Sequence, residues 1–477
     1  MSAWVKSLWK DTIVYGIGYG VSRFLQIIIL PIIAQALTLS EFGYYSNYVI
    51  FYTFAAGFFV LGLDSAVARY FYESKEKSYH RQLFSTAFFF ILVVSIIGVL
   101  GISLFAENIL SGLGIPAEYA GAIPYVLACI PVFALNNLFL SWFKWNRQKI
   151  NFLINSGGSV VLLLLPLLVA SKVSFIYIFQ VIFLGQLAVA AASCFLARDV
   201  IRLSFNTKLL RTLLVYGFPW LLVFLFGVSR TYLDRIFLTQ YLPADSYGVY
   251  NFAVRLSTLL SLVTTAFDMS FGPLAFSIWN KEGAASFFAR LQSAYVFIIC
   301  SLACAITVAS PLLILFLGGQ KYAGAEKVLP LLLFAAVPVS LVNFSNLGAS
   351  YAKKSVISTI TLLIGLVIVL ALNFLLTRPF LQYGATTASL IGQLAIIISG
   401  YFFSSRYYRI PFNYARDGGV FLLFLALSLL FVNVTYSGYL FYELLVKSII
   451  LALVVIFLAV FQFKKEYHRL LSVFRVR

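Results

Sequence analysis

The sequence predicts an all-α polytopic membrane protein of about fourteen transmembrane helices, arranged as two six-helix lobes followed by two further helices. Three observations lead there. Of 477 residues, 62% are hydrophobic and 10% charged, and mean hydropathy is +0.97, whereas a soluble domain carries about 25% charged residues. Apolar runs of the about 17–25 residues needed to cross a bilayer recur along the whole chain. The chain also repeats itself. TLSEFGYYSN at Thr38 returns as PADSYGVYN at Pro243, YAGA at Tyr119 returns at Tyr322, and GQLA at Gly185 returns at Gly392, with spacings of 205, 203 and 207.

The first copy holds apolar spans near 13–36, 43–64, 83–106, 119–141, 152–170 and 174–196. The second holds spans near 212–240, 248–270, 291–317, 328–348, 355–376 and 383–403, and two more follow near 418–436 and 444–463. Six spans per copy is an even number, so both copies insert the same way round. They are therefore expected to be related by a pseudo-two-fold axis along the membrane normal. The lobes are expected at 1–205 and 206–410, with 411–477 as two additional helices and a basic tail. Duplication in a hydrophobic chain points to a transporter with its substrate site between the copies. Pro31, Pro131, Pro219 and Pro338 fall in spans one, four, seven and ten, where proline bends or unwinds a helix. Pro131 and Pro338 are 207 apart, as are Asn136 and Asn343. Matched kinks suit two rocking lobes; local packing accounts equally well for each proline taken alone.

Of the 34 lysines and arginines, 25 fall in segments on one side of this topology, from Lys6 and Lys10 through Arg69, Lys144 and Arg198 to the tail. The opposite loops hold Lys172, Lys321, Lys327 and Arg378. By the bias of basic residues toward the cytoplasm, both termini are expected to be cytoplasmic. The same bias accounts for most of the net charge of +18, so no nucleic-acid partner is implied. The segment KKEYHRLLSVFRVR either lies on the anionic leaflet or is a solvated tail. Cys129, Cys194, Cys300 and Cys304 all lie within spans and form neither a disulfide framework nor a metal spacing. His80 and His468 are isolated. GIGYG at Gly16 lies inside a span and reads as close helix packing, not a nucleotide loop. The longest connections are far below domain size, leaving no room for a catalytic domain. An ATP-driven mechanism or a membrane glycan polymerase is therefore disfavoured, and no enzyme, cofactor or metal is expected.

The informative minority is the charge placed inside spans. Arg23 sits mid-way in span one; Arg230, Asp234 and Arg235 lie in span seven; Arg255 lies in the outer half of span eight; Asp64 and Asp268 lie near the cytoplasmic ends of spans two and eight. Each mid-membrane Arg or Asp costs about 2.5–3.5 kcal/mol on insertion scales, so such groups should face a wet cavity or a partner. Arg23 and Arg230 are 207 apart, and Asp64 and Asp268 are 204 apart. A central cavity between the copies is the simplest arrangement that brings them together. Arg230 and Asp234, at i and i+4, are alternatively placed to neutralise one another. Arg235 points away from that face and is expected to snorkel outward. Asp64 and Asp268 are candidates for a gate latch, with Arg69 or Lys281, or for a proton site. An excess of Arg over Asp in the cavity suits an anionic head group: a phosphate, pyrophosphate or acidic sugar.

The opening LWKDTIVYGIGYGVSRFLQIIILPIIAQALTLSEFGYYS resembles the first helix pair of the Wzx-type polysaccharide flippases, within the multidrug/oligosaccharidyl-lipid/polysaccharide exporter superfamily. The segments LGIPAEYAGAIPYVLACIP and LGGQKYAGAEKVLP are similar to that family's outer loops. The resemblance covers essentially the whole chain. It implies a flippase that moves a polyprenyl-pyrophosphate-linked oligosaccharide to the outer leaflet for surface polysaccharide (O-antigen, capsule or exopolysaccharide) biosynthesis. It implies a cationic cavity formed by Arg23, Arg230, Arg255 and Arg235, with Asp234, Asp64 and Asp268 as ion-coupling or gate candidates. Alternating access would be driven by a proton or sodium gradient. The expected partners are the lipid-linked oligosaccharide and membrane lipids, with a glycan polymerase and glycosyltransferases as neighbours in the process. The alternatives are a peptidoglycan-precursor flippase, a drug/cation antiporter of the same superfamily, and a scaffold for a glycan assembly complex.

Overall fold

The computed structural model describes residues 27–474 except 75, 171, 280, 353, 355 and 434–439, with the backbone alone at 230, 231, 269, 270, 273, 276, 277 and 461–474. Among these residues every regular element is helical. The first half comprises α1 (Ile27–Ala36), α2 (Leu39–Val60), α3 (Leu63–Tyr70), α4 (Lys77–Ser103), α5 (Ala106–Gly112), α6 (Ile123–Trp145), α7 (Lys149–Val169) and α8 (Phe175–Leu196). The second comprises α9 (Thr207–Tyr241), α10 (Ala244–Ser257), α11 (Leu259–Ile278), α12 (Ala284–Leu317), α13 (Leu329–Ser340), α14 (Val342–Ser345), α15 (Leu347–Tyr351) and α16 (Val356–Ser404). Helices α17 (Tyr414–Asn433) and α18 (Leu440–Phe474) complete the chain. Both YAGA copies form 3-10 turns, at Ala117–Ala122 and Gln320–Lys327.

Ten described helices are long and apolar enough to cross a membrane, or eleven with the bent α2–α3 pair. The difference from the expected fourteen has a local origin in each case. Most of span one lies outside the described residues. Span eight is divided at Thr258 into α10 and α11. Spans eleven and twelve run on as the 49-residue α16, which turns a corner at Leu381 (φ 49, ψ −129).

Local chemistry sets where the helices begin and end. Thr38 caps α2: its Oγ1 accepts from Glu41 N at 3.2 Å, and the Glu41 carboxylate accepts from Thr38 N at 2.8 Å. This reciprocal box satisfies two backbone donors that would otherwise be left over. Asn206 starts α9 by accepting from Leu209 N at 3.0 Å. Helix α2 stops at Leu61 (φ 53) and Gly62 (φ +69), both left-handed, and α3 leaves at 42°. Pro131 sits inside an unbroken α6, whereas its repeat partner Pro338 lies near the end of α13, after which the span continues only as the short α14 and α15.

The halves lock together at the end of the bundle that carries few basic loops. Gly43 of α2 faces Gly248 of α10, and a Cβ on Gly248 would stand 1.7 Å from Leu39 O. Only glycine permits that approach, and close backbone approach is what packs helices when lipid removes the hydrophobic drive. Tyr247 OH donates to Asn47 Oδ1 across the same seam. Phe42 stands edge-on to the stacked rings of Phe252 and Tyr322, at 5.9 and 5.6 Å. Lys321 Nζ donates to Gln35 O at 3.3 Å and also to Leu37 O, and Tyr322 OH donates to Ala34 O at 3.3 Å. At the basic end, the connection between the halves is strapped to α4: Arg81 Nε donates to Asp199 O at 3.0 Å, and Ser85 Oγ donates to Val200 O at 2.9 Å.

Candidate functional site

The break at Leu61–Gly62 shapes the main cavity. Because α3 swings away, a space of about 1020 Å³ lies between α2–α3 and α6 on one side and α9 on the other. Gly62 rests on Gly217 of α9, where an added Cβ would come within 2.1 Å of Gly217 O. The cavity wall carries Asp64, Asn137 and Ser141, and its basic end carries Arg69 and Lys144. Asp64 lies in the first turn of α3, where a negative charge favours the helix dipole. Ser141 Oγ fastens α6 to α3 by donating to Asp64 O at 3.0 Å. Arg69 does not latch Asp64; it pairs with Glu73 at 3.6 Å in an exposed i,i+4 bridge. Asp268, the repeat partner of Asp64, accepts from Asn343 Nδ2 at 2.7 Å. The matched Asn136 has a different role, donating to Gln186 Oε1 at 2.9 Å within the first half.

Arg255 lies between the halves. It lies in the last turn of α10, where a cation complements the helix C-terminus. It lines a small cavity of about 80 Å³ with Tyr45, Thr258 and Ser261, against Ile29 and Ile33 of α1. Tyr45 and Tyr52 lie within reach of its charge. Among the described residues no carboxylate forms an ion pair with it. Arg23 lies outside the described residues, and Arg230 is described only as backbone of α9.

Asp234 and Arg235 are both buried, at 5% and 8% exposure. Asp234 accepts from Tyr250 OH of α10 and from Arg235 N at 2.8 Å. Arg235 therefore does not snorkel outward. Its guanidinium lies 4.8 Å from the Tyr232 ring centroid, and its Nε has no partner among the described residues. The physical reason is that α9 packs against other helices of the bundle, α16 and α10 among them, and Arg235 is buried there, not exposed to lipid.

Residues 8–279, more than half of the chain, match the family of polysaccharide biosynthesis proteins. The chain belongs to that family. Among curated proteins, none matches it in sequence. Solved structures share its fold at low identity. A structure described as lipid II flippase MurJ in an inward closed conformation superposes with a TM-score of 0.78 at 16% identity, covering 95% of this chain and 100% of that one. An inward-facing multidrug resistance MATE family transporter of the MOP superfamily gives 0.60 at 14%, covering 86% and 95%. The Vibrio cholerae MATE transporter VcmN gives 0.58 at 17%, covering 85% and 98%. The apolar helices mark a multi-pass membrane protein, and the fold is one it shares with these flippase and transporter structures.

For this family member, three features escaped the sequence reading. Lys447, inside the last span, is 3% exposed and ion-paired with Glu443 one turn earlier; the i,i+4 spacing was a usable signal. Asp417, at the start of α17, is held by Ser293 Oγ at 2.6 Å and Gln292 Nε2 at 3.1 Å, tying α17 to α12. Tyr72, Trp145 and Trp220 line the main cavity. In sequence they are indistinguishable from an interfacial aromatic belt.

Proposed function

We propose that the protein is a flippase that carries a polyprenyl-pyrophosphate-linked oligosaccharide from the cytoplasmic to the outer leaflet of a bacterial inner membrane. One observation carries this reading: a cavity of about 1020 Å³ runs between the halves to the basic end, while the opposite end is interlocked. That volume sits at the upper limit of ordinary small-molecule pockets, which suits a multi-sugar head group. Two lobes, 1–205 and 206–410, rock about the glycine contacts, and the lipid tail stays in the bilayer. Arg23, Arg230 and Arg255 neutralise the pyrophosphate; a guanidinium grips a phosphate through two parallel hydrogen bonds. Arg235, stacked on Tyr232, serves that group indirectly. Asp234 is the first candidate for proton or sodium coupling, since closing the halves around Tyr250 changes what its carboxylate meets; Asp64 and Asp268 are secondary candidates. The basic end is cytoplasmic, with both termini on that side.

A peptidoglycan-precursor flippase is the second reading, supported by the 0.78 TM-score to the MurJ structure. The two predict different cargo and are separated by one experiment. In cells depleted of the protein, the outer face of spheroplasts is probed with an impermeant glycan-cleaving reagent. The proposed function predicts surface-glycan lipid accumulating in a protected, cytoplasmic-face pool while peptidoglycan precursor stays normal. The reverse pattern favours the second reading. Normal display of both, with new sensitivity to cationic compounds, points to a cation antiporter.

A further inference from the structure

The main cavity differs between its two ends in a way that charge alone does not explain. At its basic mouth three large aromatic side chains stand uncovered: Tyr72 at 61% exposure, Trp145 at 36% and Trp220 at 46%. Tyr72 and Trp145 form a corner, their rings at 85° with centroids 6.2 Å apart, fixed by Tyr72 OH donating to Trp145 O at 3.2 Å. Trp220 projects from α9, on the other wall of the same cavity. Lys144 Nζ lies 5.5 Å from the Trp145 ring centroid, and the polar Asn137 and Ser141 continue up α6 behind them.

The duplicated half lacks this arrangement. At the spacing of 207, Asn137 corresponds to Phe344, Ser141 to Gly348, Lys144 to Tyr351 and Trp145 to Ala352. Phe344 is consumed in packing, 4.4 Å from Phe271 and 5.7 Å from Phe267 by ring centroids. Tyr351 packs against Trp279 and Tyr408. A membrane-interface belt gives no reason for one half to be polar and open where its copy is filled with rings.

We propose that Tyr72, Trp145 and Trp220 form a saccharide-binding subsite on the basic mouth of the cavity, contributed mainly by the first half. The apolar face of a pyranose ring packs on an aromatic face, and its hydroxyls reach Asn137 and Ser141. Lys144 places a positive charge at the mouth, so a glycan attached to a diphosphate is drawn in ahead of a neutral one. This rests on the flippase reading and adds to it which part of the cargo is recognised, and where.

The test measures binding of two probes to the purified full-length protein in nanodiscs: polyprenyl pyrophosphate without sugar, and the oligosaccharide-bearing lipid isolated from depleted cells. The expected result is that Trp145→Leu and Trp220→Leu each weaken the glycan-bearing lipid about tenfold, which is about 1.4 kcal/mol. Binding of the sugar-free lipid stays unchanged, and Trp145→Phe, which keeps a ring, stays within about threefold of the parent. Equal losses for both probes, or no loss for either, overturn the subsite and leave the flippase reading intact. If the unsubstituted protein binds neither probe better than plain phospholipid, the flippase reading falls and the subsite falls with it.

Discussion

At the scale of single residues, Arg255 is the most consequential described side chain. A half-buried guanidinium between the halves, without a carboxylate partner among the described residues, is poised for an anion. Arg255→Ala should slow arrival of lipid-linked oligosaccharide at the outer leaflet by about 10–100-fold, the worth of a charge-assisted hydrogen bond of about 1.5–3 kcal/mol. Arg255→Lys should recover only part of that, since it keeps the charge and loses the fork. Full transport by the alanine variant at normal protein levels would remove Arg255 from the site. Tyr250 and Asp234 make a different prediction. Tyr250→Phe deletes the hydroxyl that Asp234 accepts from, leaving a buried carboxylate oxygen short of a donor. The expected cost is about 1–3 kcal/mol of stability, read as a lower melting temperature in detergent. An unchanged melting temperature would mean that another donor replaces Tyr250. Most of the charges placed inside spans were legible in the sequence, because insertion cost marks them; Lys447, paired with Glu443, was not singled out. Where each points was less legible. Arg235 was expected to snorkel outward, and nothing in α9 itself announces that the neighbouring helices bury it.

Among the helices, the repeated glycines carry the argument. Gly43 and Gly248 were visible as a matched pair, and their reason is a contact between α2 and α10 too close for any side chain. Gly248→Ala should destabilise the protein by about 1–3 kcal/mol or more, as overpacking against fixed backbone does. Gly419→Ala, where an added Cβ meets nothing within 4 Å, is the matched control and should be neutral or mildly stabilising. Equal melting temperatures for the two variants would contradict a tight seam. The other duplicated glycines show why a repeat in sequence is not a repeat in structure. Gly392 faces Gly365 within α16, and an added Cβ would fall 2.1 Å from Val369 Cγ2; at Gly185 the nearest atom stands at 3.5 Å. The matched prolines diverge in the same way, since α6 continues through Pro131 and α13 ends just past Pro338. The span pattern was readable because hydropathy and length define it. The corner at Leu381 falls in the expected gap between spans eleven and twelve, where Arg378, Pro379 and Gly384 interrupt the apolar run; the division of span eight at Thr258 was not legible, because hydropathy does not distinguish a broken span from a continuous one.

For the whole molecule, the relevant property is that its two ends differ. The Lys321–Tyr322 turn of the second half reaches α1 of the first and closes one end, while the other end holds the cavity. Lys321→Ala removes the ammonium that donates to Gln35 O of α1 and to Leu37 O just beyond it, and should weaken that closure. A cysteine placed at Ser261, in the small cavity beside Arg255, should then react severalfold faster with an impermeant thiol reagent applied from outside the cell. The four native cysteines, three of them buried, set the background. An unchanged rate would mean that the Gly43–Gly248 seam holds the end shut alone. The central claim is transbilayer movement of a glycan lipid by this chain, and the most direct measurement is reconstitution. Purified protein is placed in liposomes carrying radiolabelled polyprenyl-pyrophosphate oligosaccharide, with an ion gradient imposed, and label accessible to an external glycosidase is followed over time. The account predicts accessibility rising well above the protein-free rate, and falling back with Arg255→Ala. No rise over protein-free liposomes, from protein that still binds the lipid, would contradict it.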